Sequence, residues 1–234
     1  MDILSPRKIL IIGNSDGIGA AVTRALVARG DKIVGVSRSP SPLDMNGPRH
    51  ETLDITSSTY PALLQRLLAE EGPFDVCIYC AAIGSGLTLP DLSREAHVIE
   101  VNLTSMVRTL SALTPGWMGR SSGHFIGLSS LADDFYNQDA PSYTASKAAF
   151  SNYLVSMAMK LRPYGVSVTN IRFGYVDTKL PKANHKPMMM TPERAADHVL
   201  RCMKTRPIQL SIPKTIGLIL HGLRWIQSVR VWTA

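Results

Sequence analysis

The chain lacks the features that would commit it to an unusual class. No apolar run approaches the roughly 20 residues that a membrane-spanning helix needs. The amino-terminal stretch RKILIIG breaks at Gly13 before any cleavage-site pattern, so no signal peptide is expected and a cytoplasmic location is. Cysteine is scarce, with three in 234 residues, which suits a reducing compartment. Cys77 and Cys80 form a C-x-x-C inside FDVCIYCAA. That stretch reads as a buried strand, and residues three apart on a strand point to opposite faces. One ion cannot be held by both, so no metal site is expected; Cys202 fits helix packing. Charged residues make up only 18% of the chain against 45% hydrophobic, which excludes a disordered polyelectrolyte. The balance is basic, at +7. Yet Lys and Arg are scattered, without a dense run or interleaved aromatics, so nucleic acid is not an expected partner. A small polyanionic ligand accounts for local basic residues as well.

What is present is alternation. KILII (8–12), KIVGVS (32–37), DVCIYC (75–80), HFIGLSS (124–130), VSVTNI (166–171) and IQLSI (208–212) are short apolar runs of the kind that form buried parallel strands. Helical patterns separate them at 17–29, 57–70, 91–113, 141–161 and 191–204. Strand–helix alternation of this length predicts an α/β fold, a Rossmann-like doubly wound parallel sheet with helices on both faces. No linker or repeat interrupts residues 1–234, which read as one domain.

The first strand ends in IIGNSDGIGAAV. Gly13, Gly17 and Gly19 allow a tight turn and a close approach of backbone N–H groups, at the N-terminus of a helix that favours phosphate. Three glycines alone are a weak signal; their place between a buried strand and an amphipathic helix makes them a dinucleotide turn. The end of the second strand carries no acid that would bind an adenosine ribose hydroxyl and repel a 2′-phosphate. It carries Ser37, Arg38 and Ser39, a guanidinium between hydroxyls, which favours NADP(H) over NAD(H). Asp16, in the glycine turn, weighs against that preference.

PSYTASKAAF (141–150) places Tyr143 and Lys147 four residues apart on one helix face. With GNSDGIG (13–19), LDI (53–55), DVCIYCAA (75–82), VNL (101–103), GLSS (127–130) and FGYVDT (173–178), the chain resembles the short-chain dehydrogenase/reductases of compact, single-domain type over nearly its whole length. The resemblance implies that Tyr143 is a general acid/base and that Ser130 holds the same substrate oxygen. It implies that Lys147 binds the nicotinamide ribose and lowers the Tyr143 pKa, and that Asn102 holds a water linking Lys147 to solvent. Gly13, Ser15, Gly17, Ile18, Gly19, Ser37, Arg38, Asp54, Ile55, Ala81, Ala82, Val176 and Thr178 would join Tyr143 and Lys147 around the cofactor. A free tyrosine titrates near about 10, and bringing it to about 7 takes roughly 4 kcal/mol of differential interaction. An ammonium and an oxidised nicotinamide in a partly desolvated cleft can supply that.

Three positions depart from the family pattern: Ile12 for a threonine, Tyr79-Cys80-Ala81-Ala82 for Asn-Asn-Ala-Gly, and Phe173-Gly174 for Pro-Gly. The first two are expected to remove side-chain hydrogen bonds that steady the cofactor loops. Ile83, Leu87, Leu131, Phe135, Tyr136, Tyr175, Leu180 and Met188–Met190 are candidates for the substrate wall. Their apolar character favours a hydrophobic ketone, aldehyde or alcohol. The Met run either adapts to substrate or packs a small lid within 179–191. In the apolar segment 215–232, Ile216, Ile219, Leu220, Leu223 and Ile226 form one stripe. It packs on the body or a second subunit, covers the cleft, or touches a membrane surface. The resemblance implies a homodimer or homotetramer. A sugar-nucleotide epimerase would need a larger substrate domain. The alternative from another class is a non-catalytic NADP(H)-binding sensor or scaffold.

Overall fold

The computed structural model describes residues 6–41, 49–84, 86–180 and 188–215, with Gly217, Gly222 and Gln227. Seven strands form one all-parallel sheet: β1 (Lys8–Ile12), β2 (Lys32–Ser37), β3 (Arg49–Thr52), β4 (Val76–Tyr79), β5 (Gly123–Ser130), β6 (Val166–Phe173) and β7 (Gln209–Ile212), in spatial order 3-2-1-4-5-6-7. Beyond Lys8 the central strands β1 and β4 are apolar throughout because both faces are covered. Alternate residues divide between two cores. Leu10 and Ile12 pack on one side with α2 (Tyr60–Glu71), α4 (Ser105–Gly119) and α5 (Pro141–Leu161). Ile9 and Ile11 pack on the other with α1 (Gly17–Ala28) and α6 (Pro192–Thr205). This is the expected Rossmann-like architecture. The chain leaves β1 towards β2 and later returns to β4 on its other side, so a crevice opens beyond the carboxyl ends of β1 and β4. Among the described residues no helix is long and apolar enough to cross a membrane.

Two elements differ from the sequence reading. The strand β3, RHET, has no apolar run. It is an edge strand held by charge: Arg49 pairs with Glu51, Glu70 and Glu71 at 2.9, 2.6 and 2.8 Å. The long helix expected at 91–113 starts later and is broken. It comprises α3 (Glu95–Ile99), a π-helical turn (Glu100–Thr104) and α4. No glycine or proline marks the break: the π turn is EVNLT, residues compatible with an ordinary helix. The stripe Ile216, Ile219, Leu220, Leu223 and Ile226 lies outside the described residues.

At the far end of the sheet His124 on β5 is buried. Its Nε2 lies 2.9 Å from Thr169 Oγ1, whose one hydrogen goes to the Pro207 carbonyl at 2.6 Å. Nε2 must therefore carry the ring proton, and Nδ1 has no partner among the described residues. Burial, with Arg206 and Arg7 nearby, pushes the imidazole down to about 3. An unfolded histidine takes its proton near about pH 6.5. This group's share of stability is thus complete above that pH and is lost as pH falls towards about 3. Between pH 7 and 5 the loss is about 2 kcal/mol. Urea unfolding of His124→Gln should fall less steeply than wild type over this range; parallel curves would clear the histidine.

Candidate active site

The turn after β1 is set by backbone contacts that only glycine permits. Gly13 has φ +87°, and a Cβ there would meet the Ala81 backbone nitrogen at 2.7 Å. Gly19 sits so close to Gly13 that a Cβ would overlap the Gly13 carbonyl at 1.9 Å. The Ile12 carbonyl accepts from the N–H groups of both Cys80 (2.8 Å) and Ala81 (3.0 Å). The glycine turn and the end of β4 are therefore one rigid unit. Ser15 and Ile18 are half-buried beside it. Asp16 caps α1, accepting from Gly17 N at 2.8 Å.

At the β4 departure the structure shows a different side-chain bond. Tyr79 is fully buried and its hydroxyl donates to the Val101 carbonyl at 2.7 Å. A side-chain hydrogen bond is thus present at this position, made by a phenol and aimed at the π turn. That turn presents Asn102, whose amide accepts from Ile83 N (2.8 Å) and donates to Ile83 O (2.9 Å) and Ser146 Oγ (3.0 Å). Asn102 therefore clamps the loop after β4 to α5. Cys77 and Cys80 pack on opposite faces of the sheet, and both are free.

Ser130, at the end of β5, caps a 3₁₀ turn (Leu131–Asp134), accepting from Ala132 N at 3.1 Å. Its hydroxyl lies close enough to act on the phenol of Tyr143, half-buried at the start of α5. Lys147, one helical turn on, is only 2% exposed. Its ammonium donates to the Leu128 carbonyl at 2.9 Å and lies 5.0 Å from the Phe150 ring and 6.0 Å from the Tyr143 ring. Burial lowers Lys147 to about 8, against the pull of Asp133. Burial raises the Tyr143 phenol; the Ser130 hydrogen bond opposes that, and Asp133 and Tyr175 add to it. The direction is opposite to the lowering that the resemblance implies for this phenol, because desolvation dominates.

The family model of the short chain dehydrogenases matches residues 7–188. The chain belongs to that family. It is 26% identical over 224 residues to an uncharacterised oxidoreductase of Staphylococcus haemolyticus, covering 91% of this chain and 96% of the relative. It is 30% identical over 190 residues to a 3-oxoacyl-[acyl-carrier-protein] reductase of Vibrio cholerae, covering 77% and 78%. A short-chain dehydrogenase of Sphingobium yanoikuyae, solved in complex with NADPH, superposes with a TM-score of 0.83 at 19% identity, covering 97% of this chain and 96% of that one.

On the rim of this short-chain dehydrogenase's crevice the remaining sequence candidates fall into two groups. Ser37 is buried, its hydroxyl donating to Ser39 O at 2.7 Å, while Arg38 is exposed. Burial pushes the Asp54 carboxyl up, but bonds from Thr56 (2.9 and 2.8 Å) and the charges of Arg38 and His97 carry it below the usual range. Ile55 is buried beside it. On the other side Val176 is buried and bridges to Met190, and Thr178 faces Gly17. Lys179 ion-pairs with Asp16 at 2.7 Å, joining this segment to the glycine turn. A cavity of about 470 Å³ opens there, lined by Asp16, Arg24, Thr178 and Lys179 among others.

The proposed substrate wall divides. A Cβ on Gly84 would touch both Tyr143 and Leu180, so Gly84 lies between the tyrosine ring and Leu180. The Met run does not act as a unit: Met190 is core, while Met188 and Met189 are exposed. Gln227 accepts from Tyr136 N at 3.1 Å, setting one point of the C-terminal segment against the loop between Ser130 and Tyr143. Sequence reasoning missed Tyr79's role and the π turn. The only available signal was an aromatic at a position where the family has an amide.

Tyr79→Phe should strand the Val101 carbonyl and cost about 1–3 kcal/mol. Urea unfolding checks it; an unchanged midpoint would mean that the hydroxyl does not support the π turn.

Proposed function

We propose that the protein is an NADP(H)-dependent oxidoreductase that interconverts a hydrophobic ketone or aldehyde and its alcohol. The observation that carries this reading is the convergence of Ser130, Tyr143 and Lys147, with a buried ammonium 6.0 Å from the tyrosine ring. The residues suit a dinucleotide. The Gly13–Ala81 approach leaves backbone where a Cβ would intrude, and the N-terminus of α1 faces the crevice. Gly13, Ser15, Gly17, Ile18, Gly19, Asp54, Ile55, Ala81, Ala82, Val176 and Thr178 would line its course, with Ser37 and Arg38 at the 2′-phosphate.

When bound, the nicotinamide supplies or accepts the hydride. Ser130 orients the substrate oxygen. Tyr143 gives its phenolic proton to that oxygen in reduction and takes it back in oxidation. Lys147, its ammonium 6.0 Å from the Tyr143 ring, would set positive charge near the phenol and favour the phenolate against burial. Half-buried Leu180 and Ile83 favour an apolar substituent on the carbonyl. The NADPH found in the Sphingobium relative favours the same cofactor. Pairing of Asp16 with Lys179 weakens the charge that counted against a 2′-phosphate. The single-domain organisation, a homodimer or homotetramer, and a cytoplasmic location belong to the same reading.

Tyr143→Phe should leave NADPH binding near normal, followed by nucleotide fluorescence, and reduce turnover of apolar aldehydes by at least about 100-fold. Retained turnover would remove Tyr143 as the acid. Arg38→Asp should shift preference from NADPH towards NADH; an unchanged preference would place the 2′-phosphate elsewhere. Failure of the wild type to bind either nucleotide would favour a sensor or scaffold with another ligand.

A further inference from the structure

The turn after β2 is held from the neighbouring strand by a residue that the proposed chemistry does not use. On β3, Arg49 and Glu51 alternate with His50 and Thr52, so the two pairs point to opposite faces of the sheet. Arg49 pairs with Glu70 and Glu71 of α2; His50 points to the other side. Its register partner on β2 is Gly35, which has no side chain, and a Cβ there would meet the Asn14 amide nitrogen at 2.1 Å. With no β2 side chain beside it, the ring leans along the strand to Ser37. Its Nε2 lies 3.4 Å from Ser37 Oγ and 3.1 Å from the Ser39 carbonyl oxygen. Ser37 Oγ gives its one hydrogen to the same carbonyl at 2.7 Å. A carbonyl only accepts, so Nε2 carries a ring hydrogen, shared between Ser39 O and the lone pairs of Ser37 Oγ. The other nitrogen, Nδ1, is buried without a hydrogen-bond partner among the described residues.

These contacts close a small ring around Arg38. Ser37 and Ser39, its two neighbours in the chain, are tied to each other and to β3. The Leu53 N–H adds a bond to the Ser37 carbonyl at 2.9 Å. Arg38 itself is exposed. Neither nitrogen of His50 is turned to solvent: one is directed at Ser39 O and the other is buried. Ser37 has likewise spent its hydrogen inside the turn, so the strong donor that the turn presents is the Arg38 guanidinium. We infer that His50 is a positioning residue for nucleotide selection: its Nε2–H fixes the Ser37–Ser39 turn so that Arg38 is held ready for a 2′-phosphate. An arginine on a loose turn gives up backbone and side-chain freedom when it grips a phosphate. On a turn already closed it gives up less, and the difference falls only on a ligand that carries the phosphate. His50 thereby favours NADP(H) without touching it.

This role rests on the reading of Arg38 as the 2′-phosphate ligand, and one set of titrations separates the two. The Kd values for NADPH and NADH are measured by nucleotide fluorescence on the full chain, for wild type, His50→Ala, His50→Gln, Arg38→Ala and the double variant of His50→Ala with Arg38→Ala. His50→Ala should weaken NADPH by about 5–10-fold and leave NADH within about twofold. A glutamine can bring an amide N–H to Ser39 O, so His50→Gln should recover most of that loss. In the Arg38→Ala background, His50→Ala should have no further effect on NADPH, because it acts through the guanidinium. An equal loss for both nucleotides would mean that His50 only keeps β3 in place, and overturns the proposal. So does an unchanged NADPH affinity in His50→Ala, or an additive loss in the double variant. A wild type without preference for NADPH defeats the reading of Arg38 itself, and the role of His50 with it. Should His50→Ala not fold by circular dichroism, His50→Leu, which keeps bulk but has no N–H, takes its place with the same expectations.

Discussion

A lysine ammonium held almost wholly out of water is the constraint on which this site is built. Such a group loses several kcal/mol of hydration unless its surroundings replace it. The Leu128 carbonyl at the end of β5 takes one of its hydrogens, and the Phe150 ring presents its face nearby. The Asp133 carboxylate, in the 3₁₀ turn after β5, is held by Arg172 from β6. These demands fix where α5 can lie against β5 and β6. That placement brings Tyr143 within hydrogen-bond reach of Ser130. The burial that makes the lysine easy to deprotonate also makes the phenol hard to ionise, so the two groups are pushed in opposite directions by one cause.

The nucleotide side of the crevice depends on backbone rather than charge. The Ile12 carbonyl binds the N–H groups of Cys80 and Ala81, and Gly13 lies directly against Ala81. The sheet thus delivers two loops at a fixed separation, and the replaced family side chains matter less than their types suggest. Ile12 contributes its carbonyl whatever its side chain. Tyr79 turns an apparent loss into a different bond, reaching across to the π turn that positions Asn102. The backbone contacts between the two loops are present at the departing positions, and Tyr79 adds a side-chain bond of its own.

Charge is used sparingly and in two settings. At the edge strand β3, exposed pairs around Arg49 hold a segment that has no apolar residues to bury. Pairs this exposed contribute little individually. Around Arg172 the same chemistry is buried, so each ion acts on its neighbours over a longer range. The Asp16–Lys179 pair belongs to the exposed class, but it spans the glycine turn and the substrate-side segment.

The alternation of short apolar runs and helices determined the doubly wound sheet, because a strand buried on both faces must be apolar throughout and parallel strands need crossover helices. The glycines at 13, 17 and 19 and the Tyr143–Lys147 spacing were equally legible, since each follows from local stereochemistry. The polar strand β3 was not, because its place is set by pairing with β2 rather than by its own composition. Nor was the π turn at 100–104, which no glycine or proline marks. Asp133 and Arg172 are 39 residues apart in the chain, and nothing in either local sequence marks them as partners. Local pattern fixes which segments become strands and helices. Only the packing of distant segments into one low-dielectric interior decides which charges meet, and therefore how the lysine and the tyrosine titrate.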